Sequence, residues 1–269
     1  MMTVRAAEPL DVATLAETDR ATLAEYLQRL GDDRLVLGHR LSEWCGHAPI
    51  LEEDIALGNI ALDLIGQATR ALELAGETEG KGRNADRLAY FREAVEYRNL
   101  QLVELPRGDF GYTIARQFFF DAFSVHFLDA LRQSSYAELA AWATKALKED
   151  RYHLRHSSEW MLKLGDGTAE SHARVQRSVN ELWRFTGEMF MDDAVDERMA
   201  QLGIVPKPST LRAQWNTVVT DVLSRAQLER PTHEFFAHGG RTGRHTESLG
   251  HMLAEMQIVA RSHPDATEW

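Results

Sequence analysis

The chain is poor in cysteine, in positive charge and in uninterrupted apolar runs. One cysteine among 269 residues, Cys45, excludes an intrachain disulfide framework and fits a reducing compartment. It adjoins Trp44 in an apolar setting, which reads as an inert buried thiol. No stretch approaches the roughly 18 apolar residues that a membrane span needs. The first residues, Met-Met-Thr-Val-Arg-Ala-Ala-Glu-Pro, lack the apolar core of a secretion signal, so a soluble, cytoplasmic protein is expected. Thirty Lys and Arg against 41 Asp and Glu leave a net charge of -11. Nucleic acids and anionic membranes demand a basic surface, so neither is an expected partner. There is no Gly-x-Ser-x-Gly elbow and no Cys-x-x-Cys pair.

What is present reads as helix almost throughout. Leu37, Leu41 and Trp44 recur at i, i+4 and i+7 before Gly46 and Pro49 interrupt. A second helix is expected from the acids Glu52, Glu53 and Asp54 to about Ala75, with Gly76 as its stop. Leu88 to Leu102 reads as a third helical piece, and Pro106 to Asp109 as a turn. Ile114 to Leu131 is phenylalanine-rich, too long and too poor in Val and Ile for a strand. Ala137 to Leu164 is expected to be the longest helix, and Thr168 can cap the next. Further helices carry Leu211, Trp215, Val218 and Val222, and then Thr246 to Arg261. No strand pattern and no fixed-period repeat is visible, so the fold class is all-α.

Carboxylates interrupt these apolar helices. Asn59, Asp63 and Gln67 form one polar stripe, and Gln117, Asp121 and Ser124 another. Lys145, Glu149, His153 and His156 share a face with Tyr152 at its edge, and Glu43 lies four residues from both His39 and His47. Two-metal bundles use a Glu on each of two helices and a Glu-x-x-His on each of two others, because hard oxygens neutralise the cations and imidazoles complete the shells. Here Asp63 is followed at i+3 by Gly66, and Glu149 by Tyr152. His153, at i+4 from Glu149, points about 100° away from that position. A single such carboxylate is ordinarily a satisfied polar group at a helix interface. Four on separate helices point to a shared origin. Without metal, Lys145, Arg70, Arg116 or Arg151 could neutralise the buried acids.

Other candidates are weaker. Gly239-Gly-Arg-Thr-Gly-Arg-His245 lacks the ending and the preceding strand of a phosphate loop and reads as a connector, with Arg241 and Arg244 the groups that could meet an anionic cofactor. The acids at 192, 193, 196 and 197 read as a solvated face. Trp44, Trp142, Trp160, Trp183 and Trp215 are candidate interface anchors.

Three strings are not generic helix sequence: Leu41 to Leu57 with Asn59 to Ala68, Lys145 to Trp160, and Leu164 to Arg174. They resemble the structural subunits of the bacterial ring 1,2-phenylacetyl-CoA epoxidases, over residues 30 to 255. The resemblance implies a ferritin-like four-helix bundle with additional C-terminal helices. It divides the chain into an extension at 1–30 and a helical domain at 31–269, with the core bundle at about 31–165 and added helices at about 168–261. It further implies a subunit of a multicomponent di-iron monooxygenase in aerobic phenylacetate catabolism, without catalysis of its own. Expected partners are a homologous catalytic A subunit holding the di-iron centre, a small B subunit, and a reductase carrying flavin and an iron-sulfur cluster; a homodimer is the alternative in isolation. No cofactor is expected in this chain. Glu43, Asp63, Gly66, Asp121, Glu149, Tyr152 and His153 would be vestigial two-metal positions. Two alternatives stand beside this reading: an autonomous two-metal oxidoreductase using the residual carboxylates, and a CoA-thioester binder.

Overall fold

The computed structural model describes residues 10–266. Its core is two helix pairs. α1 (Glu17–Ser42) lies antiparallel to α2 (Leu51–Glu79), Gly31 facing Leu72 and Gly38 facing Ala61. After the short α3 (Ala85–Tyr90) and α4 (Gln101–Glu104), α5 (Phe110–Leu131) pairs with α6 (Ala137–Gly165). α7 (Ala169–Trp183), α8 (Ala194–Gln201), α9 (Arg212–Arg225) and α10 (Glu247–Ser262) complete the chain. Among the described residues there is no strand, and the fold is a ferritin-like helical bundle. Of the expected N-terminal extension, 1–9 lie outside the described residues, and α1 runs through residue 30 unbroken.

Local chemistry accounts for the helix ends. Asp109 caps α5 by accepting from Tyr112 N at 2.8 Å, and Thr168 caps α7 by accepting from Ser171 N at 3.1 Å. Glu52, Glu53 and Asp54 occupy the first turn of α2, where the helix dipole favours acids. Its end differs from expectation. α2 runs on to Glu79, and Gly80 closes it at φ 70°. Gly76 sits inside the helix because a Cβ there would lie 2.0 Å from the Arg83 carbonyl oxygen, so its glycine serves a close approach. α2 and α6 are also equal in length, 29 residues each.

The expected helix from Leu88 to Leu102 is broken instead. Its backbone finds other partners: Arg98 N donates to Asp32 Oδ2 and Leu100 N to Asp33 Oδ1, both at 2.8 Å. Two side chains of α1 thus replace the i-4 carbonyls, and the segment wraps across the bundle. Phe118, Phe119 and Phe120 are buried along α5, and Phe119 meets Trp183 and Trp215 at ring-centroid distances of 5.8 and 6.0 Å. Each such ring contributes about 1.5–3 kcal/mol through burial. Trp44, Trp142, Trp183 and Trp215 are therefore core residues rather than exposed anchors. Cys45 is exposed in the loop after α1, the reverse of the expected buried thiol.

Candidate functional site

At the centre of the bundle four buried side chains close a hydrogen-bonded ring. Arg34 of α1 donates through Nε to Gln67 Oε1 at 2.9 Å and through an Nη to Ser124 Oγ at 3.2 Å. Gln67 of α2 and Ser124 of α5 donate in turn to the two oxygens of Asp150 on α6, at 2.9 and 2.5 Å. The guanidinium also lies over Trp142, 4.7 Å from the ring centroid, and the indole Nε1 donates to Gln67 O at 3.0 Å. Cation and anion balance across two neutral bridges. Burial works against the arginine's charge and lowers its pKa, with Asp150 and Asp33 holding it up.

Beside the ring lies a second set of titratable groups. Asp121 is buried and accepts from Gln117 Nε2 at 2.6 Å and from Ser157 Oγ at 2.8 Å. Burial lifts its pKa to about 7, the Asp150 charge adding to the rise. His153 Nε2 lies 3.1 Å from Asp63 Oδ2, and its Nδ1 3.6 Å from Asp150 Oδ1. Burial opposes the imidazolium, but the Asp63 hydrogen bond and the Asp150 and Asp121 charges outweigh it and raise the pKa. One turn further, His156 Nε2 meets Glu53 Oε2 at 2.7 Å.

These contacts redraw the expected constellation. Glu43 stands nine residues beyond Arg34, about 13 Å along the axis, and pairs with Arg40 at 2.6 Å instead. The Asp63 side chain is 41% exposed. Gly66 lines a groove between α2 and α6, with nothing within 4 Å of an added Cβ. Glu149 accepts from Gln67 Nε2 at 2.9 Å at that groove's wall, and Tyr152 is 42% exposed. The α6 pair facing the core is Asp150 and His153, a carboxylate and a histidine at i and i+3, one residue out of the expected register. Only Asp121 and His153 of the expected set lie in the buried centre.

The neutralising cation also differs. Arg70 pairs with Glu73, Glu77 and Glu138, and Arg151 reaches Asp129. Lys145 is exposed, and Arg116 donates to the carbonyls of Leu105 and Pro106. Arg34 takes that role, and the sequence signal was a lone arginine before Leu35-Val36-Leu37. Asp150 was legible in the same way, as the acid three residues before His153.

The donors do not fit a two-cation centre. A fixed guanidinium occupies the middle of the bundle, Glu43 is elsewhere, and Asp63 and Glu149 lie toward the groove. Among the described residues, no group of three or more His, Cys, Asp or Glu is arranged to hold a metal ion.

A second polar cluster claims the glycine-rich loop. Arg241 pairs with both oxygens of Asp33, at 3.0 and 2.8 Å, and donates to Arg98 O at 2.7 Å. Burial opposes its charge, but Asp33 more than offsets that and raises its pKa. Glu188 accepts from the backbone N–H of Gly239 and Gly240, each at 2.8 Å. The loop is clamped, and Arg241 is committed inside the protein rather than offered to an anion. The acids at 192–197 are not simply a solvated face either: Asp193 caps α8 and pairs with Arg29 at 2.8 Å, and Asp196 is buried. No described helix is long and apolar enough to cross a membrane.

Comparison with known proteins agrees with the resemblance read from Leu41 to Arg174. The chain is 48% identical over 242 residues to the C subunit of the 1,2-phenylacetyl-CoA epoxidase of Escherichia coli (strain K12), a match spanning 90% of this chain and 97% of that protein. Residues 6–269 match the family described as Phenylacetic acid catabolic protein, and the chain belongs to that family.

Proposed function

We propose that this chain is the structural subunit of a multicomponent phenylacetyl-CoA epoxidase, acting in phenylacetate catabolism by binding and supporting a homologous catalytic subunit. The observation that carries the non-catalytic part is the Arg34 ring. A permanent cation sits where a two-metal bundle needs clustered carboxylates, and its counter-ion Asp150 is already satisfied by Gln67 and Ser124. The di-iron centre belongs to the catalytic partner, and flavin and the iron-sulfur cluster to the reductase. The 48% identity to one subunit of the epoxidase supports the partner assignment. The cytoplasmic location belongs to the same proposal.

Reconstitution tests it. Phenylacetyl-CoA turnover is measured with catalytic subunit, small B subunit and reductase, with and without this chain. Turnover is expected only when this chain is present, and none from this chain with the reductase alone. Substrate oxidation by the chain without the catalytic subunit would overturn the assignment and favour the autonomous oxidoreductase.

A further inference from the structure

α2 packs along α1, and α6 along α5, whereas α2 and α6 meet chiefly through polar side chains, at Gln67–Asp150, Asp63–His153, Glu53–His156 and Arg70–Glu138. Between them runs an open groove of about 530 Å³. Gly66, Ala141 and Ala146 line it together with Gln67 and Trp142, and the Arg70–Glu138 ion pair spans it at 3.1 Å. One rim is apolar and exposed. Leu51, Ile55 and Leu62 lie at i, i+4 and i+11 along α2, within about 40° of one another around the axis, and all three are more than half exposed, Leu62 at 68%. Ile50 precedes them. Tyr152 joins the patch from α6, because the contacts His153–Asp63 and His156–Glu53 set that stretch of α6 beside this half of α2. Five of the ten exposed large hydrophobics of the described residues therefore gather here. Clustering of that kind marks an interaction surface rather than scattered surface residues.

We propose that the α2–α6 face is the docking surface for the homologous catalytic subunit, one of whose helices lies along the groove; this rests on the function proposed above. Two features on this face fit such an occupant. The first is size: two helices of 29 residues, each about 43 Å long and 10 Å across, present about 850 Å², and a stable interface takes about 800 Å² from each partner. The second is charge. On the α2 flank Arg70 already pairs with Glu73 and Glu77 and reaches Glu138 of α6, which leaves Lys145 as the exposed cation of the groove lining, where an acid on an incoming helix would meet it. A second copy of this chain is disfavoured as occupant by a net charge of -11 on each. Docking also covers Asp63, whose side chain is 41% exposed and holds His153.

The test is binding of the catalytic subunit to the parent chain, to Ile55→Glu/Leu62→Glu, and to Ile258→Glu on the exposed side of α10. Affinity for the α2 variant is expected to fall about 100-fold, the effect of forcing unpaired carboxylates into an apolar interface, with Ile258→Glu unchanged. All three positions are exposed, so melting temperatures close to the parent value are expected. A photo-crosslinking residue at position 62 of an otherwise unaltered chain gives a second reading and is expected to capture the catalytic subunit. Parent-level binding by the α2 variant, or equal loss in both variants, overturns the docking surface while leaving the proposed function standing. Self-association of the parent that the α2 variant abolishes reassigns the face to a second copy and equally overturns it. Failure of the parent chain to bind the catalytic subunit overturns both.

Discussion

α1 carries two buried polar clusters that begin on adjacent residues and balance charge in opposite ways. At Asp32 and Asp33, carboxylates meet guanidinium groups directly: Arg92 grips both oxygens of Asp32, and Arg241 both of Asp33. Their remaining capacity goes to the backbone N–H of Arg98 and Leu100. At Arg34, cation and anion never touch. Gln67 and Ser124 stand between Arg34 and Asp150, and burial lifts the pKa of Asp121 nearby to about 7. The first cluster ties loops from distant parts of the chain to α1 and so builds the fold. The second joins the four core helices at the centre of the bundle. Direct pairing suits a staple, whereas a bridged pair spreads one cation and one anion across four helices.

The largest difference should appear on breaking each pair. Asp32→Asn leaves the buried Arg92 without its counter-charge and releases Arg98 N, so a loss of about 3–5 kcal/mol is expected in urea unfolding. An effect near zero would show that Arg92 finds water or another acid.

The next effect is pH dependence, to which the second cluster contributes through Asp121 and His153. Asp121 has a folded pKa of about 7 against an ordinary value of 3.8, so the folded state holds its proton more tightly. Its contribution to stability is greatest at low pH and is lost as pH rises from about 4 to about 7. His153 acts in the same sense, because its raised folded pKa gives stability below about 6.5 that fades as pH climbs through the folded value. Unfolding free energy should therefore fall between pH 5 and pH 8, with Asp121 contributing roughly 2–3 kcal/mol. Asp121→Asn should flatten that slope; an unchanged slope would place the titration elsewhere.

Asp150→Asn should cost less than Asp32→Asn, about 1–3 kcal/mol, because Arg34 keeps its direct partners Gln67 and Ser124 and one of these two still has an amide oxygen to donate to. Adding Arg34→Met should recover part of that loss, with a coupling of about 0.5–3 kcal/mol in the double-mutant cycle. Strict additivity would mean that the ring is a set of unrelated contacts.

The smallest effect is expected from restoring the missing histidines. Gly66→His/Tyr152→His should change stability by less than about 1 kcal/mol, since both positions are exposed on helices. It should create no iron or manganese binding by metal analysis, because both residues lie toward the α2–α6 face and away from the bundle centre. Stoichiometric binding would mean that the groove itself is a latent metal site.

The helices were legible because their signals are local: 3.6-residue periodicity, the caps Asp109 and Thr168, and the phenylalanine run of α5. The breaks at 92–100 were not, since carboxylates sixty residues earlier supply the hydrogen bonds that end the helix. The stop at Gly76 misled for a similar reason, as that glycine answers to Arg83 rather than to a helix end. Asp121 and His153 could be singled out as polar residues in apolar runs. Glu149 and Asp150 differ by only about 100° around a helix, and several polar neighbours leave the buried side of α6 open between them in the sequence. Arg34 is not legible as the counter-ion, because nothing local marks which arginine of an amphipathic helix turns inward, and its partners Gln67, Ser124 and Asp150 lie on three other helices.

Metal content tests the role of Arg34 most directly. The isolated chain is incubated with ferrous iron or manganese, desalted, and measured beside an Asp121→Asn/Asp150→Asn/His153→Ala variant. If Arg34 balances the centre, parent and variant retain the same trace of metal. One or two ions per parent chain, lost in the variant, would contradict the account.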